Sequence, residues 1–182
     1  QRAASGQMTL SSALLILCEL LDALDAAHRS SIIHRDVKPD NIFIETFVDG
    51  FEQVKLLDFG IAKEQDKPSA TRADASIGTP YYMSPEQARA SATISALSDI
   101  WSVGVILYWL VEGLPPFRGE SSYDIVLKAC AVAHEPPLNE CGAPARLIEL
   151  IEDCLQKDPL HRPQDANALR DELQALLSSA ED

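Results

Sequence analysis

The chain has 182 residues, of which 46% are hydrophobic and 24% charged, as expected for one globular domain with a sizeable core. Its formal net charge of −13 argues against nonspecific nucleic-acid binding, which needs a basic surface. The acidity suits either a solvated surface, which we favour, or attraction of basic protein substrates. The longest apolar stretch, residues 100–111, is too short to span a membrane. The four cysteines lack C-x-x-C spacing, which predicts buried thiols in a reducing compartment, the cytoplasm.

Residues 1–9 are small and polar and predict a frayed start. From Leu10 the leucines recur at intervals of three and four residues, which predicts an amphipathic helix running to about His28. We expect His28 to be an ordinary residue of the last turn, where its charge favours the helix dipole.

Residues 34–41 read His-Arg-Asp-Val-Lys-Pro-Asp-Asn. Pro39 lacks an N–H group and disfavours helical angles at the residue before it, so this segment is predicted to be a loop. A loop can direct the carboxylate of Asp36, the ammonium group of Lys38 and the amide of Asn41 to one point. These groups suit phosphoryl transfer, because it needs a carboxylate for the attacking hydroxyl, a cation for the phosphate oxygens and an oxygen ligand for Mg²⁺.

Two short strands are predicted next, at residues 42–44 and 54–57, with a turn at Asp49-Gly50 between them. The second strand ends at Asp58, a second carboxylate for the metal, which is followed by Phe59 and Gly60. The order His-Arg-Asp-x-x-x-x-Asn, strand, strand, Asp-Phe-Gly resembles the larger, C-terminal lobe of a protein kinase.

This resemblance implies a serine/threonine protein kinase that uses ATP and Mg²⁺, with Mn²⁺ as an alternative. Asp36 would orient the substrate hydroxyl and accept its proton, and Lys38 would neutralise the γ-phosphoryl group. Asn41 and Asp58 would hold Mg²⁺. Phe43 would lie beneath the adenine ring, although a core phenylalanine is an equal alternative at this position.

Residues 58–86 would then form the activation segment. Residues 61–77 lack any period and are predicted to be a loop, and Arg35 could pair with a phosphate on it. The possible phosphate acceptors are Ser69, Thr71 and Ser76. Residues 78–86 resemble the substrate-docking loop of serine/threonine kinases, in which Thr79 would hydrogen-bond to Asp36 and Lys38. Ser84 replaces the alanine of the Ala-Pro-Glu motif, as is common in bacterial kinases of eukaryotic type.

The remaining residues with implied roles are structural. Glu86 would form a buried ion pair with Arg162, and Asp99 would accept N–H bonds from His34 and Arg35. His34 and Phe59 would form the lower half of an apolar stack between two lobes. Residues 98–112 are apolar nearly all round, which predicts a fully buried helix. Three more helices are predicted, at residues 121–132, 145–156 and 164–177.

The expected fold is therefore α+β and mainly α-helical: residues 1–182 as a kinase C-lobe whose short β-hairpin carries the catalytic and metal-binding loops. Only 33 residues precede His34, too few for an N-lobe, and no G-x-G-x-x-G or Val-Ala-x-Lys segment occurs among them. We expect the chain to belong to a longer protein and to be inactive alone. Its partners would be that N-lobe and proteins with Ser or Thr acceptors, in the cytoplasm or at the cytoplasmic face of a membrane. The alternative is a non-catalytic binding module that keeps the lobe as a docking surface.

Overall fold

The computed structural model describes residues 8–48, 50, 52–59, 80–91, 94–138 and 142–179. Within them the fold is mainly helical, with one two-stranded antiparallel sheet, as the sequence predicted. The helices are α1 (Leu10–Arg29), α2 (Pro85–Ala88), α3 (Leu97–Glu112), α4 (Ser122–Ala131), α5 (Ala145–Cys154) and α6 (Ala166–Ser179). The strands are β1 (Ile42–Thr46) and β2 (Glu52–Leu56). In the described part of the chain, no helix combines the length and the apolar character needed to cross a bilayer.

Helix α1 begins where the Thr9 hydroxyl accepts a hydrogen bond from the N–H of Ser12, at 3.1 Å. Most of its leucines are buried on one face, because the three-and-four spacing brings them to the same side of the helix, whereas Leu15 faces solvent. This face packs against α6, and an ion pair between Asp22 and Arg170 joins the two helices at the surface. The first and last helices of the described chain therefore share one core.

Helix α3 is the buried centre of the fold, with Ile100, Trp101 and Leu107 fully enclosed. It crosses α5 at Gly104, where an added Cβ atom would lie 2.5 Å from the Cβ of Cys154. Only a glycine permits so close an approach. Gly113, at a φ of 76°, then ends the helix in the left-handed conformation.

The hairpin pairs Ile42 with Leu56 and Ile44 with Val54, and Ile42, Val54 and Leu56 pack against the core. It is held to α1 by the N–H of Val54, which donates to Oε2 of Glu19 at 2.9 Å. Both strands extend further toward the turn than the sequence predicted. The loop of residues 34–41 therefore lies between two anchored elements, α1 and β1.

An aromatic cluster lies beside α3. The rings of Trp101 and Phe117 stack with centroids 5.7 Å apart, and Nζ of Lys157 lies 4.9 Å and 4.0 Å from their respective centroids. Burial, and to a smaller extent the nearby guanidinium groups of Arg162 and Arg89, lowers the pKa of Lys157 to about 8. Two cationic side chains, Lys157 and Arg162, thus face the Trp101 ring.

Candidate active site

The loop of residues 34–41 brings the three groups predicted for phosphoryl transfer together. Nζ of Lys38 lies 2.9 Å from Oδ2 of Asp36. The amide nitrogen of Asn41 donates to the carbonyl oxygen of Asp36 at 2.8 Å and to its Oδ2 at 3.3 Å. Pro39 begins a short 3₁₀ turn that ends at Asn41, so the predicted interruption of helical structure occurs at Lys38. A carboxylate, an ammonium group and an amide therefore converge within one turn of the chain.

Asp58 comes close to this loop through the backbone. The N–H of Leu57 donates to the carbonyl oxygen of Asn41 at 2.9 Å, so the next residue, Asp58, follows directly beside Asn41. Because the Asn41 side-chain nitrogen is committed to Asp36, its oxygen is the atom suited to a cation. Asp58 is exposed, at a φ of 56°. An amide oxygen and a carboxylate are hard oxygen ligands, and this donor set fits Mg²⁺.

His34 links the loop of residues 34–41 to residues 57–59, at the end of the hairpin. It is fully buried, and its Nδ1 accepts the N–H of Asp36 at 3.2 Å. This contact assigns the proton to Nε2, which donates to the carbonyl oxygen of Leu57 at 2.9 Å. The His34 and Phe59 rings lie 4.7 Å apart, so the predicted contact between these residues is present.

Asp99, near the start of α3, holds the backbone of the loop. Its two carboxylate oxygens accept the N–H groups of His34 and Arg35, each at 2.9 Å, as predicted. Arg35 has a φ of 66°, a conformation that costs a non-glycine residue about 1–2 kcal/mol. The buried carboxylate offsets that strain with two charge-assisted hydrogen bonds.

His28 contributes to the same anchor, and the expectation of an ordinary helix residue was wrong. Its Nε2 lies 2.7 Å from Oδ2 of Asp99, and its side chain is only 9% exposed. The signal was available, because His28 follows Leu24 by one turn and so continues the buried face of α1. The position at the end of the helix pointed the other way, because a polar residue there usually faces solvent.

Glu86 and Arg162 form the predicted buried ion pair. Nη1 and Nη2 of Arg162 lie 2.8 Å and 3.0 Å from the two Glu86 oxygens, and the hydroxyl of Ser98 donates to Glu86 at 2.7 Å. Burial alone would raise the pKa of Glu86, but the hydrogen bonds from Arg162 and Ser98 outweigh it and lower the pKa. Arg162 also donates to the carbonyl oxygens of Leu97 and Gln156. The pair therefore fixes α2 against the C-terminal part of the fold.

Phe43 is 57% exposed, which contradicts the alternative that it is a core residue. It borders an apolar cavity of about 500 Å³ between α1, β1 and α3. The predicted roles of Gly60 and Thr79, and of the possible phosphate acceptors Ser69, Thr71 and Ser76, concern residues outside the described part of the chain.

Comparison with known proteins shows which family this chain resembles. Residues 2–173 match the protein kinase domain family. The chain is 42% identical to the serine/threonine-protein kinase pkn3 of Myxococcus xanthus, over 88% of this chain and 30% of that protein. It is 36% identical to the serine/threonine-protein kinase PkaA of Streptomyces coelicolor, over 91% and 30% respectively. The serine/threonine-protein kinase PknB of Mycobacterium tuberculosis is 37% identical, over 92% and 26%.

The chain thus spans less than a third of the length of these curated relatives. The matched range nevertheless contains residues 34–41 and 58–60, together with Asp99, Glu86 and Arg162. The chain belongs to the protein kinase domain family.

Proposed function

We propose that the protein containing this chain is a serine/threonine protein kinase, which transfers the γ-phosphoryl group of ATP to Ser or Thr hydroxyls of other proteins. The convergence of Asp36, Lys38 and Asn41, with Asp58 beside them, is the observation that carries this proposal. Named serine/threonine kinases among the relatives support it.

Each side chain has a role in this proposal. Asp36 accepts the proton of the attacking hydroxyl, and the amide nitrogen of Asn41, 3.3 Å from its Oδ2, keeps its carboxylate in position. Lys38 moves from Asp36 toward the phosphate oxygens when these are present, because an ammonium group binds either anion. Asn41 and Asp58 would hold Mg²⁺, which would neutralise charge on the ATP phosphates. The exposed ring of Phe43 offers a flat apolar surface to the adenine base.

We assign the chain to the C-lobe, with residues 34–41 as the catalytic loop and residues 58–86 as the activation segment, in which Arg35 pairs with a phosphate. An N-lobe would complete the nucleotide site, so this chain alone should transfer no measurable phosphate. The buried thiols of Cys18 and Cys154 support a reducing, cytoplasmic location.

The test uses the protein encoded by the complete open reading frame, incubated with radiolabelled ATP, Mg²⁺ and a generic Ser/Thr substrate protein. We expect phosphate on Ser and Thr, and Asp36→Asn should lower kcat by about 10²–10⁴-fold, because it removes the proton acceptor. Asp171→Asn, the same change at an exposed site on α6, is the matched control. Full activity in the Asp36 variant would refute the assignment.

The competing hypothesis is a non-catalytic binding module. Sequencing the DNA upstream of the Gln1 codon separates the two. A reading frame with a glycine-rich loop, a strand lysine and a helix glutamate supports the kinase, whereas an N-lobe without these groups supports the module.

A further inference from the structure

Gln87 connects α2 to the loop of residues 34–41 through its side-chain amide. Its Oε1 accepts the N–H of Ser84 at 3.0 Å, and its own N–H donates to the Ser84 hydroxyl at 3.3 Å. This reciprocal pair is a capping box that fixes the start of α2. The remaining donor, Nε2, reaches across to the carbonyl oxygen of Arg35 at 2.8 Å. One side chain therefore stabilises its own helix and contacts a distant loop.

The Arg35 contact has an unusual setting. Arg35 has a φ of 66°, and its N–H is already held by Oδ1 of Asp99 at 2.9 Å. Its carbonyl is held by Gln87 from the other side, so both polar groups of this residue's backbone are fixed by side chains from different helices. The next residue is Asp36, whose direction depends on the backbone angles of Arg35.

We infer that Gln87 is a positioning residue that couples the segment around α2 to the proton acceptor Asp36. Glu86, its neighbour, is fixed by Arg162, so α2 has a rigid base on the far side of the fold. The hydrogen bond from Gln87 then fixes the carbonyl of Arg35 relative to α2. A displacement of α2 would break this bond and free the carbonyl. The activity part of this inference rests on the proposed kinase function.

The coupling should appear in kcat rather than in KM. In the described part of the chain, the hydrogen bonds of Gln87 join it to Ser84 and to the Arg35 backbone rather than to the side chains of Asn41 or Asp58, so loss of the Arg35 bond should leave nucleotide binding intact. A freed Arg35 backbone would misdirect Asp36, and small errors in the position of a reacting group slow the chemical step strongly.

The test variant is Gln87→Glu in the protein from the complete open reading frame. The new carboxylate can still accept the Ser84 N–H, so the capping box persists, but it cannot donate to the Arg35 carbonyl and repels it. The matched control is Gln174→Glu, the same change at an exposed position on α6, away from the loop of residues 34–41 and from α2. We expect kcat to fall about ten-fold in Gln87→Glu, with KM for ATP within about two-fold, and both unchanged in Gln174→Glu.

A second readout does not depend on activity. Amide hydrogen exchange of a peptide covering residues 34–41 should be about ten-fold faster in Gln87→Glu than in the parent or the control, since the loop loses one of its supports. An inactive parent would reject the kinase proposal, and the exchange experiment would still decide the coupling. Equal exchange in both variants, or a loss of activity expressed entirely in KM, would overturn the role of Gln87.

Discussion

At the scale of single residues, Lys157 is a charged group that its surroundings accommodate poorly. Its Nζ is buried without a hydrogen-bond partner among the described residues and faces the rings of Trp101 and Phe117. Contact with aromatic rings replaces only part of the hydration that an ammonium group loses on burial. Burial therefore lowers the pKa of Lys157 to about 8. The protonated form therefore destabilises the fold.

This predicts an unusual dependence of stability on pH. An unfolded lysine keeps its ordinary pKa of 10.5, so between about pH 8 and 10.5 the unfolded chain binds more protons than the folded one. The free energy of unfolding should therefore rise between about pH 8 and about pH 10.5, and Lys157→Met should abolish this contribution. Urea unfolding followed by tryptophan fluorescence measures it. Lys55→Met, which removes a half-exposed lysine on β2, should keep the rise; its persistence in Lys157→Met would contradict the prediction.

Site residues differed in how far the sequence could predict them. The convergence of Asp36 and Asn41 followed from the spacing of residues within one loop. The contacts of Asp99 and Glu86 followed from the resemblance to protein kinases, although their partners lie 65 and 76 residues away. His28 and Gln87 belong to none of the motifs that carry this resemblance, so their partners, 71 and 52 residues away, could not be predicted.

At the scale of elements, the crossing of α3 and α5 depends on Gly104. The Cβ of Cys154 occupies the space that any other side chain at position 104 would need. Gly104 lies in the middle of α3, and Cys154, the last residue of α5, is fully buried, so neither backbone can move aside at low cost.

We expect Gly104→Ala to destabilise the fold by roughly 1–3 kcal/mol, although alanine favours helices, because the new methyl group overlaps Cys154. In a Cys154→Gly background the same change should be much milder, which gives a coupling of about 1 kcal/mol or more in a double-mutant cycle. Urea denaturation of the four proteins measures it. Additive effects would show that the two residues do not compete for space.

Periodicity predicted the long helices to within two residues, because their buried faces impose three-and-four spacing. It could not predict α2, whose four residues are too few to show a period. Nor did it predict the outer ends of the strands, where Glu45 pairs with Gln53 and Thr46 with Glu52. Backbone hydrogen bonding extends the ladder there without any apolar pattern in the sequence.

At the scale of the whole molecule, the pair of Glu86 and Arg162 joins parts of the chain that are 76 residues apart. Arg162 is fully buried as a side chain, and Glu86 is nearly so. Removing one partner leaves the other charge without compensation in a site that water barely reaches.

Arg162→Met should therefore cost about 3–5 kcal/mol of unfolding free energy, measured by urea denaturation. The double variant Glu86→Met, Arg162→Met should recover part of it, since no unpaired charge remains. Arg146→Met is the control: Arg146 pairs with Glu149 and Glu172 at the surface, and such pairs contribute about 0–1 kcal/mol. Similar losses of unfolding free energy in Arg162→Met and Arg146→Met would mean that burial does not strengthen the pair of Glu86 and Arg162.

The packing of α1 against α6 has a consequence for synthesis on the ribosome. The leucines on the buried face of α1 are translated more than 140 residues before their partners Leu169 and Leu173 of α6. Until α6 leaves the exit tunnel, that face has no complete cover, and exposed apolar helices of this kind bind chaperones or aggregate. Ribosomes stalled before residue 166 should therefore carry nascent chains that recruit holdase chaperones, which release them once α6 emerges.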